Sequence, residues 1–225
     1  MRIPIAFLYV LCVCMNGVAQ LKNEPGGSII SFNLNKSLSS QLQLNAKWES
    51  RILLLRQGAS SEQGLQYQRS DLELIATVPA GLRAKAGGGL LLRMQQGRLQ
   101  YRLVQQYALV RTHGPLKVGH RFRADQQFAA GRPPRFRLRY RISAQLPFSG
   151  EKVDIKEFYF KAANEYLPTL RAANFDVEIR GLLVLGFVPA TGHKLEAGLD
   201  ARLSGTLLAS QSLQNWLALS WYIPL

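Results

Sequence analysis

Arg135-Phe136-Arg137-Leu138-Arg139-Tyr140-Arg141-Ile142 is the stretch on which the reading of this chain turns. Successive side chains of a strand point to opposite faces, so this run sets four guanidinium groups on one side and four apolar groups on the other. One such strand alone would fit a soluble sheet whose basic face meets water. The alternation, however, continues in both directions. Upstream, Leu99, Tyr101, Leu103, Tyr107 and Leu109 share a face opposite Arg102 and Gln106. Leu116, Val118, Phe122 and Phe128 then oppose Lys117, Arg121, Arg123 and Asp125. Downstream, Phe158, Phe160 and Ala162 oppose Glu157, Tyr159 and Lys161, and Val177, Ile179, Leu183, Leu185 and Phe187 oppose Asp176, Glu178 and Arg180. Leu195, Ala197, Leu199, Ala201 and Leu203 oppose Lys194, Glu196, Asp200 and Arg202.

The first residues say where such strands would be used. Arg2 followed by the apolar run Ile5 to Val13 and the small residues Gly17-Val18-Ala19 reads as a secretory signal over residues 1–19, with Gln20 starting the mature chain. That run is too short for a spanning helix, and no later segment supplies the roughly 20 continuous apolar residues one needs. An integral membrane protein without such a helix must be a closed barrel, because only helices and barrels satisfy every backbone group in lipid. The expected fold is therefore all-β: an antiparallel transmembrane β-barrel of the outer membrane over residues 28–225, preceded by a polar leader at 20–27. A lipocalin-like barrel or a sandwich, with the apolar face turned inward, is the soluble alternative. The charged, mixed-sign polar face and the aromatic last segment, with Trp216, Trp221 and Tyr222, favour the membrane form and suit recognition by barrel-assembly machinery.

The remaining strands read less sharply. Ile30-Phe32-Leu34, then Gln41 to Arg51, then Leu72 to Val78 each alternate, residues 56–68 read as a polar loop, and Ala129 to Pro134 reads as a loop leading into the arginine strand. Gly87-Gly88-Gly89 reads as a join before an apolar fourth strand. The count is about eleven. Because single-chain bacterial barrels carry even numbers of strands, the expectation is ten or twelve, with twelve favoured.

The two cysteines, Cys12 and Cys14, both fall inside the signal and follow Leu11 and Val13, which argues against lipid attachment. A mature chain without cysteine has neither a disulfide scaffold nor a thiolate metal site. The formal charge of +14 becomes +13 without Arg2. Its bases are spread over alternate strand positions rather than clustered in an arm or helix, so lipopolysaccharide phosphates and small anions are more natural partners than nucleic acid.

A lumen ion network is the strongest candidate site. Arg121, Arg123, Arg135, Arg137, Arg139 and Arg141 would share the lumen with Asp125, Glu157, Lys161, Glu165, Asp176, Glu178, Arg180, Lys194, Glu196, Asp200 and Arg202. Cross-strand acid–base pairs are the expected arrangement. Such a network holds the barrel's shape, and its basic surplus favours anions in any pore. His120 is the odd residue, because it shares the apolar face with Val118 and Phe122. Pairing it across the turn at 113–114 puts it opposite Tyr107, near Gln105. An external histidine beside an amide resembles an outer-membrane phospholipase arrangement, but that chemistry needs a serine nucleophile, and Phe136, Leu138, Tyr140 and Ile142 offer none. A polar contact in the belt is the expected role. His113 and His193 lie in turns, no metal-ligand spacing or cofactor loop is present, and no cofactor is expected.

The run His120-Arg121-Phe122-Arg123-Ala124-Asp125-Gln126-Gln127-Phe128, with the arginine strand that follows it, resembles an uncharacterised family of exported bacterial proteins known only as a domain of unknown function and assigned to outer-membrane β-barrels. Asn164-Glu165-Tyr166 and the stretch from Glu178-Ile179-Arg180-Gly181 to Gly186-Phe187 resemble it too, and the likeness extends from about Ile30 to Leu225. Asp125 stands where the family usually has glutamate and Gln127 where it usually has arginine, which leaves the ion pairing of that strand open. The resemblance implies a fold and a location, and supplies no catalytic residues.

Overall fold

The computed structural model describes residues 20–55, 64–172, 174–207 and 210–225. The segment read as a signal, 1–19, lies outside them. The strands are β1 (Gln20–Asn23), β2 (Gly27–Ser37), β3 (Gln43–Leu55), β4 (Gly64–Pro79), β5 (Ala84–Gln95), β6 (Arg98–His113), β7 (Leu116–Ala129), β8 (Arg132–Pro147), β9 (Phe158–Arg171), β10 (Asn174–Phe187), β11 (Lys194–Ser204) and β12 (Ser210–Pro224). Each of β2 to β12 pairs antiparallel with its sequence neighbour, and β12 pairs with β2, which closes the wall. Among the described residues there is no helix, so no helix is long and apolar enough to cross a membrane.

Eleven strands close this barrel, not ten or twelve. Direction reverses at each hairpin, so the first and last strands of an odd meander run the same way and must meet in parallel. β2 and β12 do so, from Gly27↔Trp216 to Asn35↔Pro224. The number matches the count of about eleven alternating segments, and the even parity of single-chain bacterial barrels is not kept. The twelfth strand, β1, adds no wall of its own. It lies in the stretch read as a leader and pairs parallel with the first part of β12, Gln20↔Ser210 to Asn23↔Leu213. The Glu24 amide donates to the Leu213 carbonyl at 3.0 Å and the Gln214 amide to the Glu24 carboxylate at 2.8 Å, so β1 and β2 together track the length of β12. Ser31 and Ser220 hydroxyls bond across the seam at 2.9 Å.

Three local readings change. Gly87-Gly88-Gly89 lies within β5 rather than before it. Gly89 sits in register between Ile75 and Val104, and a Cβ there would meet the Leu74 carbonyl oxygen at 2.0 Å. A strand glycine of this kind permits close backbone approach, and Ile75, Leu91 and Val104 pack into an apolar cluster beside it. Residues 64–68 of the expected loop belong to β4, and 56–63 lie outside the described residues. The segment 129–134 reduces to a two-residue turn between Ala129 and Arg132.

The barrel is apolar outside and charged inside. Leu138 is 63% exposed and Phe136, Tyr101, Phe122, Leu183 and Leu199 are also exposed. Arg102, at 2%, and Asp125, at 1%, are among the most buried side chains. Register carries one apolar row laterally around the wall: Phe128, Tyr101, Leu92, Leu72, Trp48, Phe32, Trp221, Leu195, Phe187 and Phe158 are successive cross-strand neighbours from β7 through β2 and β12 to β9. Where rings meet they pack, with Phe32–Trp48 centroids 5.7 Å apart and Phe158–Phe187 4.8 Å apart.

Candidate functional site

Alternation fixes the lumen. On β7 and β8 the odd-numbered residues point inward, which gathers Arg121, Arg123 and Asp125 against Arg135, Arg137, Arg139 and Arg141. Register sets Arg121 directly opposite Arg141 and Arg123 opposite Arg139. Like charges directly opposite are unfavourable, so these side chains reach diagonally for their partners. Asp125 is the hub. Its Oδ1 accepts from Arg123 Nε at 2.8 Å, and its Oδ2 lies 2.7 Å from Arg139 Nη2, 3.5 Å from Arg137 Nε and 3.7 Å from Arg102 Nη1. Asp125 thus gathers four guanidiniums around a single carboxylate. Gln127 accepts from Arg102 at 2.8 Å and donates to Gln100 at 2.6 Å. Arg123 also forks onto Glu73 of β4, across the lumen.

The other strands complete the network. Glu165 contacts Arg121 at 3.3 Å and Arg180 at 3.6 Å, and Arg180 also pairs with Glu178 at 2.6 Å. Asp200 pairs with Arg202 at 2.7 Å. Glu196 receives Lys161 at 2.5 Å and the Tyr159 hydroxyl at 2.7 Å. Tyr159 lies flat over Gly186, where a Cβ would meet its ring at 2.1 Å, so the glycine makes room for the tyrosine inside the wall. Of the fourteen ion pairs among the described residues, six join positions two apart on one strand, such as Arg202–Asp200. Cross-strand geometry alone therefore does not describe the pairing.

Five expected members stand apart. Glu157 precedes β9, and its carboxylate caps the Asp154 amide at 2.9 Å in the 148–157 connection. Asp176 has a buried carboxylate oxygen without a partner, Lys194 lies 6.0 Å above the Tyr159 ring, and Arg135 faces Arg171 in register. Arg135, Arg141, Asp176 and Lys194 make no ion pair among the described residues. Conversely, the first half of the barrel contributes charges that the candidate network omitted. Glu49 binds Lys47 and Arg51, each at 2.7 Å, and Asp71 binds Arg93 at 2.5 Å. The signal for these was present in Lys47-Glu49-Arg51 and Arg69-Asp71-Glu73, which alternate as the later strands do. Trp216 turns inward, with Arg51 and Arg202 stacked 5.7 and 5.6 Å from its ring.

These groups surround an internal cavity of about 370 Å³. Thirteen of its lining residues are Lys or Arg and six are Asp or Glu. Buried charge demands pairing, and here the bases outnumber the acids available to them. Chemically the space is suited to holding or passing anions.

His120 is on the outer wall. Register puts it opposite Leu109 and Ile142, not Tyr107, and its Nδ1 lies 2.9 Å from the Tyr140 hydroxyl. The Tyr140 ring also stacks beside the imidazole, with centroids 6.2 Å apart.

A family model described as a protein of unknown function (DUF2490) matches residues 29–201. The chain belongs to that family. The DUF2490 match takes in the charged face from Lys47 to Asp200 and stops short of β12, although the resemblance read from the sequence ran to Leu225. No curated protein and no solved structure matches the chain.

Proposed function

We propose that the mature protein is an integral outer-membrane β-barrel, delivered by a signal at residues 1–19, whose lumen is a narrow, weakly anion-preferring pathway. The lateral apolar row from Phe128 to Phe158 carries this reading. Nine of its ten side chains are exposed, whereas monomeric soluble proteins rarely expose contiguous apolar patches beyond a few hundred Å². Lipid is the solvent such a wall fits, and a charged interior with an apolar exterior is the reverse of a lipocalin's pattern. The basic surplus around the cavity supports anion preference by raising local anion concentration. In this reading the partners are outer-membrane lipid, lipopolysaccharide and the barrel-assembly machinery, and the protein performs no catalysis.

Membrane fractionation tests the location, and planar-bilayer recording tests the pathway. The expected result is recovery with the outer membrane, release only by detergent, heat-modifiable gel mobility and a small conductance preferring chloride over potassium. Recovery as a soluble periplasmic protein would overturn the barrel reading. A conducting but cation-selective protein would overturn the charge argument.

A further inference from the structure

The arginine wall is short of counter-charge at one place. Asp125 serves four guanidiniums, and Glu165 contacts two. Arg141 faces Arg121 on one side and Glu165 on the other in register, yet forms no ion pair among the described residues. The Nε atoms of Arg137, Arg139 and Arg141 are buried without a hydrogen-bond partner, and the Arg137 side chain is 10% exposed. All three line the cavity together with Arg121. Unpaired donors in a low-dielectric space carry a desolvation cost that an anion removes. Guanidinium forks match the paired oxygens of phosphate, which a single carboxylate cannot share among several of them. A cavity near 370 Å³ falls in the range of small-molecule sites.

We propose that the lumen holds a binding site for a multivalent oxyanion of the phosphate class, formed by Arg121, Arg137, Arg139 and Arg141. The proposal deepens the anion-preferring reading by giving the lumen a specific ligand chemistry. Free phosphate and a phosphate monoester share that chemistry, and comparing the two shows whether the site tolerates an ester substituent.

The test is calorimetric titration of the detergent-folded full mature chain with inorganic phosphate, and separately with glycerol phosphate, at constant ionic strength. Wild type should bind phosphate saturably at one site per chain and at least about tenfold more tightly than chloride, a difference of 1.4 kcal/mol. Arg141→Gln should weaken binding about tenfold or more, and Arg141→Lys should weaken it less. Arg132→Gln, at the exposed start of β8, should leave it unchanged. Absence of saturable binding to folded wild type would overturn the proposal, as would equal weakening by Arg132→Gln. Failure of Arg141→Gln to fold would also overturn it, because a guanidinium kept for a ligand is dispensable to the wall. The titration needs no membrane, so loss of phosphate binding with anion selectivity intact would sink this inference alone. Soluble periplasmic recovery would sink the membrane reading and leave the titration to decide.

Discussion

The walls formed by β3–β4 and by β7–β8 face the same lumen and solve its electrostatics differently. On β3 and β4 the inward charges are Lys47, Arg51 and Arg69 against Glu49, Asp71 and Glu73. Three bases meet three acids, interleaved so that carboxylates find a partner two residues away on the same strand, as in Arg51–Glu49 and Arg69–Asp71. On β7 and β8, Lys117, Arg121, Arg123, Arg135, Arg137, Arg139 and Arg141 have Asp125 alone. The balanced wall meets part of its charge from within and lends Asp71 to Arg93 and Glu73 to Arg123. An unbalanced wall draws on the opposite side, as Arg123 draws on Glu73, or on an ion from outside. The proposed oxyanion site lies on the side of this asymmetry that is short of acids.

The comparison breaks first at Asp125. Asp125→Asn should destabilise the barrel by about 3–5 kcal/mol, because it strands buried guanidiniums around one lost carboxylate. Glu49→Gln in the balanced wall should cost less, about 1–3 kcal/mol, since it leaves one buried guanidinium, Arg51, in place of four, and its other partner Lys47 is 32% exposed and hydrated. Denaturant unfolding in lipid vesicles measures both, and the reverse order would show that the two walls do not differ as argued.

Within β8 itself, the outer face should be less forgiving than the inner. Leu138→Arg should cost about 2–4 kcal/mol if the residue lies near the bilayer midplane. Arg139→Gln should cost less than that, because Asp125 keeps three other guanidiniums as partners. Equal costs would mean that the face turned to lipid has been misassigned.

A smaller effect concerns ion flow. Changing Arg137 and Arg139 together to Glu should move the reversal potential toward cation selectivity, and Lys47→Gln should move it much less. Raising salt to about 1 M shortens the screening length to roughly 3 Å and should shrink the wild-type preference. A preference unchanged by salt would point to a site-bound ion rather than a diffuse field.

Periodicity made the β class and the sidedness of Arg135 to Ile142 readable in the sequence, since a period of two is a property of neighbouring residues. It also gave the turns around Gly114 and Gly131. Strand parity, however, says only that two side chains share a face. It could not tell that Glu157 falls one residue outside β9, or that Arg121 meets Arg141 head-on, because both depend on register across a hairpin. The placement of His120 failed for the same reason: a shift of two residues exchanges Tyr107 for Leu109. Gly89 misled because a glycine run signals a join when read locally. Its actual role, letting β4 approach β5, exists only once the strands are paired.

The parallel seam between β2 and β12 has a topographic consequence. An even meander returns its chain ends to one rim, whereas here β1 starts beside Ser210 and β12 ends with the Leu225 amide bonded to the Asn35 carbonyl at 2.8 Å. Gln20 and Leu225 therefore lie at opposite mouths of the cylinder. In a bilayer-spanning wall one end is presented to the periplasm and the other to the cell exterior. An epitope fused at each end of the mature chain would be read from different compartments, so antibody labelling of intact cells should detect one and miss the other.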